Sequence, residues 1–207
     1  MSLIEPIAVI VSVISVWLAT RRSLWHYPYA FASVAIYAWI FFRVKLYADV
    51  ALQGVFAVTL AYGFVQWRRS RDEQGEVLVA RTTVVEIAIA VLAAALVSLA
   101  LGRFMATRTD AALPWLDSAL LAASLVGSFW GARRRIEAWW VWIVVDLVYV
   151  GVYVYKDLFW TGGLYAAFVV LAFIGLRRWE TARTEQQARH AAVPPLNRRE
   201  WSTEAAT

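Results

Sequence analysis

Apolar and polar positions fall along this chain in long blocks. Predominantly apolar runs occupy about 3–20, 27–42, 47–67, 84–102, 115–132, 138–155 and 159–178, and short segments carrying most of the charge separate them. A helix of roughly 20 apolar residues spans a hydrocarbon core of about 30 Å. Lipid offers no partner for free backbone polar groups, so helices are the expected form of each crossing. The pattern therefore predicts an all-α membrane protein with seven transmembrane helices. The polar segment 180–207 contains Pro194-Pro195 and lacks apolar periodicity, so it is expected to be a disordered tail.

The charges orient the spans. Fifteen of the 20 Lys and Arg residues lie in the connections after runs 1, 3 and 5 or from the last two positions of run 7 onward. Arg43, Lys45, Arg103, Arg108 and Lys156 lie on the other side. The positive-inside rule then places the N-terminus outside and the C-terminus in the cytoplasm. The first run has no basic region ahead of it and is followed by Arg21-Arg22, so it reads as a retained helix and not a signal peptide. Trp17, Trp25, Trp67, Trp115, Trp130, Trp160 and Trp179 lie near run ends and are expected to form interfacial aromatic belts.

The chain matches itself at an offset of about 112 positions. Arg21-Arg22 falls on Arg133-Arg134, Tyr37 on Tyr149, Phe56 on Phe168, Gly63 on Gly175 and Trp67 on Trp179, with no gap. Two parallel three-helix repeats follow, about 3–67 and 115–179, forming a transporter domain over 1–179. Three crossings end on the far side of the membrane, so a linker helix, about 84–102, must return the chain. Repeats of this kind hold a substrate near the midplane between the halves.

One run carries distinctive chemistry. In AWWVWIVVDLVYV, Asp146 lies about 9 residues from Glu137, or roughly 13 Å along a helix. That is near mid-bilayer, where a carboxylate is costly and marks a functional position by default. Trp139, Trp142, Asp146, Tyr149 and Tyr153 are spaced by three and four, which puts them on one helical face. An aromatic and anionic face suits a flat cationic or polar ring. The same stripe also fits polar packing, with Asp146 satisfied by a Ser, Gln or Tyr of another helix. Gln53 and its repeat mate Tyr165 are candidates to line the central cavity from opposite halves. Asp49 is expected to pair with Arg43 or Lys45 near the outer end. Glu5 and Asp117 are span-end acids or gate groups, and Gly63 and Gly175 are close-packing positions.

Composition narrows the chemistry further. With no Cys, disulfides, thiolate metal sites and thiol nucleophiles are excluded. The two His, His26 and His190, lie outside the runs, and the runs contain neither HExxH nor GxSxG. No catalytic residue, metal site or cofactor is expected. The net charge of +5 reflects basic clusters between apolar runs and does not point to a nucleic acid partner.

From about Glu5 to Trp179 the chain resembles the PnuC family of vitamin transporters. The resemblance is carried by SVWLATRRSLW, by LYADVALQ with GFVQW, and by WVWIVVDLVYVGVYVYKDLF with LYAAF and GLRRW. It implies a 3+1+3 helix arrangement similar to SWEET sugar transporters and uptake of nicotinamide riboside, for NAD biosynthesis, across a bacterial inner membrane. It also implies facilitated diffusion, with phosphorylation trapping the substrate in the cytoplasm, and a trimeric homo-oligomer. The family motif WxxWxxxN is matched by Trp139, Trp142 and Asp146, with Asp in place of Asn. Related branches carry thiamine, riboflavin or deoxynucleosides. The anionic residue favours the permanently cationic nicotinamide riboside or thiamine. A proton-coupled transporter using Asp146 is the remaining alternative.

Overall fold

The computed structural model describes residues 4–43, 45, 47–72, 74–109 and 113–192. Seven helices are present: α1 (Ile4–Thr20), α2 (His26–Arg43), α3 (Tyr47–Arg69), α4 (Val84–Arg108), α5 (Pro114–Ala132), α6 (Glu137–Tyr155) and α7 (Phe159–Ala192). Of these, α4, α6, α7 and most of α3 are long and apolar enough to cross a membrane, and Pro6–Thr20 is a shorter apolar helix. Local signals fix several starts. Pro114 occupies the first turn of α5, where its missing N–H costs nothing. Thr83 and Glu86 form a reciprocal capping box at the start of α4.

Six helices close a ring. The contacts run from α1 to α2, α2 to α3, α3 to α5, α5 to α6, α6 to α7 and α7 back to α1. Helix α4 packs only on the outside of α5, and most of its large apolar side chains are exposed. This is the arrangement of a return helix between two three-helix units.

The offset of 112 seen in the sequence reappears in the backbone. Arg22, Lys45, Arg134 and Asp157 have positive φ, at 57°, 62°, 61° and 57°. They form two pairs at that offset. Their turns share hydrogen bonds as well: Ser23 N donates to Leu18 O at 3.1 Å, and Arg135 N donates to Trp130 O at 2.8 Å. A left-handed conformation is disfavoured for residues other than Gly, Asn or Asp. Its recurrence at equivalent arginines shows that the two turns share one geometry.

The connection from α3 to α4 folds over the arginine-rich end of the ring. It is a short hairpin, with Arg71 bridged to Val77 and Gly75 at φ 78° in its turn. Val77 and Val79 are buried in the core cluster. The equivalent arginines clamp this strap, Arg22 donating to Val77 O at 3.0 Å and Arg134 to Leu78 O at 3.1 Å. Arg22 also pairs with Glu76 at 2.7 Å. Burial holds the Arg134 guanidinium below the usual arginine range, yet that range starts so high that it stays charged.

Beyond residue 180 the structure corrects the expected disorder, since α7 continues to Ala192. The segment TARTEQQARHAA is rich in strong helix formers, and tertiary contacts anchor it. Ala182 is buried. Gln186 accepts from Val79 N at 3.2 Å and donates to Val77 O at 3.3 Å. Arg189 reaches Asp72 at 3.4 Å. Residues 193–207 lie outside the described residues, as do the side chains of Glu5, Tyr47 and Asp49.

Candidate substrate site

The centre of the ring holds a cavity of about 400 Å³, within the usual range for small-molecule sites. All six ring helices line it. Its wall from the second unit carries Trp139, Trp142 and Asp146 of α6, with Tyr165 and Phe168 of α7. Its wall from the first unit carries Ser12, Ser15, Ser33 and Thr59, with His26 and Tyr27.

Asp146 is only 6% exposed and lines the cavity. Among the described residues no side chain donates a hydrogen bond to its carboxylate, and no other acidic residue or any Lys or Arg lines the cavity. A buried carboxylate without a protein partner needs water or a ligand. Trp142 is half-buried and packs against Gly127, where an added Cβ would meet its indole at 3.1 Å.

Trp139 lies deeper, 6% exposed. Its ring fills the space left by Gly175, where a Cβ would approach it to 2.6 Å. It meets Trp179 edge-on, with centroids 5.4 Å apart. Gly63, the repeat mate of Gly175, makes the matching space for Tyr27, the mate of Trp139. Both glycines are therefore close-packing positions.

Three expected site residues are not in the cavity wall. Gln53 is half-buried on α3, and the cavity instead meets Phe56, Thr59 and Leu60 of that helix. Tyr149 and Tyr153 stack on each other with centroids 5.9 Å apart. They bear on Tyr165 at 4.9 and 5.1 Å. Of this trio only Tyr165 reaches the cavity, so the other two support it from behind. Of the expected pair Gln53 and Tyr165, only Tyr165 lines the space.

Part of the expected aromatic belt is core. Trp67, Trp130 and Trp179 are 2%, 8% and 1% exposed, whereas Trp17, Trp25, Trp115 and Trp160 are open to the outside. Trp67 and Trp179 close the cavity at its arginine-rich end, beneath Val77 and Val79 of the strap. Their repeat-matched GxxxW setting was the available signal for an inward position. The serine and threonine wall and His26 were missed because hydroxyls in apolar runs read as ordinary helix content.

A ring of membrane-crossing helices around a central, ligand-sized cavity, with an outer return helix, is an architecture suited to a small-molecule transporter. Residues 2–181 match the family described as Nicotinamide mononucleotide transporter, and the chain belongs to that family. It is thus a multi-pass membrane transporter of the PnuC type and not an enzyme. It is similar to the riboflavin/roseoflavin transporter RibM of Streptomyces davaonensis, with 30% identity over 82% of this chain and 81% of the relative. It is also similar to the nicotinamide riboside transporter PnuC of Escherichia coli, with 22% identity over 91% and 90%. A crystal structure of the vitamin B3 transporter PnuC shares the fold, with a TM-score of 0.71 and 21% identity over 89% of this chain and 83% of that one.

Proposed function

We propose that the protein carries nicotinamide riboside through the central cavity by facilitated diffusion, and that Trp142 and Asp146 are its principal contacts. The observation that carries this reading is the Asp146 carboxylate, the one acidic group in a cavity lined by aromatic, hydroxyl and small aliphatic side chains and by no Lys or Arg. Such a site favours a flat ring with permanent positive charge. The indole of Trp142 supplies a stacking face, and the carboxylate balances the charge. Trp139 and Tyr165 complete the wall, Tyr149 and Tyr153 hold Tyr165 in place, and Gln53 is an outlying polar residue on α3. Thiamine, also cationic, is the nearest alternative cargo within this reading.

A second reading has its own support. The relative with 30% identity is named for riboflavin and roseoflavin, whose neutral ring would suit the aromatic wall without using the carboxylate's charge. Binding measurements on purified protein with nicotinamide riboside, thiamine and riboflavin separate the two. Tightest binding of a cationic vitamin is expected. Riboflavin binding tightest, with Asp146→Asn unchanged, overturns the primary assignment.

The arginine-rich end, including the α7 extension, is assigned to the cytoplasm of a bacterial inner membrane on the charge asymmetry alone. A reporter fused after Ala192 should be active only in the cytoplasmic form. Activity only in the periplasmic form would invert the topology.

A further inference from the structure

The wall facing Asp146 has a polarity of its own. Ser12, Ser15, Ser33 and Thr59 line the cavity, and each hydroxyl has one proton to give. Ser12 Oγ donates to Ala8 O at 2.8 Å, Ser15 Oγ to His26 O at 3.1 Å and Thr59 Oγ1 to Val55 O at 3.0 Å. Ser12 Oγ and Ser33 Oγ are 2.7 Å apart. Either hydroxyl can donate in that pair; when Ser12 gives its proton to Ala8 O, Ser33 is the donor. In that arrangement all four protons turn back into the protein, and the oxygens present acceptor capacity to the cavity.

This wall lies level with the carboxylate. Val34, next to Ser33, holds in the first unit the position Asp146 holds in the second, 112 residues on, and Val34 also lines the cavity. Ser33 is 9% exposed. The buried carboxylate facing the same space, without a protein donor, independently marks it as a ligand site. A cavity with acceptors on both walls at one depth calls for a cargo rich in O–H donors.

We propose that Ser12 and Ser33, with Thr59 of the same three-helix unit, form a specificity subsite that accepts hydrogen bonds from the polyol part of the substrate. The flat ring then rests against Trp142 and Asp146 across the cavity. This rests on the central cavity being the substrate site, as proposed above. It adds a requirement that charge alone does not impose. Ribosyl and ribityl vitamins both present a run of hydroxyls, whereas thiamine presents one. The remaining lone pairs of these oxygens select for the sugar, and the opposite wall selects for the ring.

The test uses the full-length protein, its Ser12→Ala/Ser33→Ala double variant and its Trp142→Ala variant, by calorimetric titration. Alanine is the best helix former, so the double variant is expected to fold, and its unfolding temperature verifies this. The probes are nicotinamide riboside, riboflavin and the ring-only cation 1-methylnicotinamide. The double variant should lose tenfold or more in affinity for the bound polyol vitamin and keep its affinity for 1-methylnicotinamide. Trp142→Ala should weaken both. Unchanged affinity for the polyol vitamin overturns the subsite, and so does an equal loss for both probes. A parent protein that binds neither polyol vitamin refutes the substrate reading itself, before any variant is compared.

Discussion

The indoles of Trp67 and Trp179 meet edge to face with centroids 5.6 Å apart, and each crosses to the other half of the molecule. Trp67 Nε1 donates to Gly131 O at 3.1 Å, and Trp179 Nε1 donates to Ala19 O at 3.2 Å. Donors and acceptors exchange under the same offset of 112, so the repeat is reciprocal at its interface. Neither half can move away from the other at this end without breaking a bond of each kind.

Trp67→Phe and Trp179→Phe each remove one N–H and keep an aromatic ring. Each should cost at least about 1–3 kcal/mol, from the carbonyl left without its donor and the space left by the smaller ring, with a similar fall in the unfolding temperature in detergent. A severe effect for one and none for the other would show that the interface is not reciprocal.

Gly175→Ala brings a Cβ to within 2.6 Å of the Trp139 ring. Overpacking of this kind costs about 1–3 kcal/mol. Gly151→Ala in α6 has nothing within 4 Å and should be neutral or stabilising. Thermal unfolding of the pair checks the contrast. Equal stability of both variants would contradict the packing described.

How far the sequence could be read depended on the scale of the signal. Block hydropathy located all seven helices because a span needs a long run. The offset of 112 located both repeats because two paired signals recur in it: Gly63 with Trp67 against Gly175 with Trp179, and Arg21-Arg22 against Arg133-Arg134. The cavity wall was legible only where chemistry was unusual for its depth, as at Asp146. Trp67 and Trp179 were misread as belt residues because span ends normally meet the interface, and only the folded strap shows that here they are roofed over. The helix through 180–192 escaped notice because it lacks an apolar stripe, although its helix formers were in view, and because the contacts of Gln186 and Arg189 that anchor it reach a loop about 110 residues away.

Trp142→Ala should weaken binding of the preferred vitamin roughly 5- to 150-fold, since base–aromatic stacking is worth about 1–3 kcal/mol. Titration of the folded variant measures it. Unchanged affinity would reduce Trp142 to a packing residue against Gly127.

Asp146→Asn and Asp146→Leu should differ. The amide keeps size and most hydrogen-bonding capacity, so that variant should transport with weaker preference for cationic over neutral substrates. Leucine removes every polar contact and should abolish binding. Parent-like binding by both would mean that Asp146 does not touch the cargo.

Uptake into vesicles held at a fixed membrane potential should be the same with and without a proton gradient. A rate that collapses with the gradient would make Asp146 a proton carrier.

The lone carboxylate in a cavity lined by no Lys or Arg has one more consequence. If the cargo is a cation and nothing else moves with it, each turnover carries net charge across the bilayer. Moving one elementary charge through 100 mV is worth about 2.3 kcal/mol, or roughly fiftyfold in concentration. A passage with no coupling ion would then still accumulate its vitamin against a gradient, with the resting voltage of the cell as its source of work.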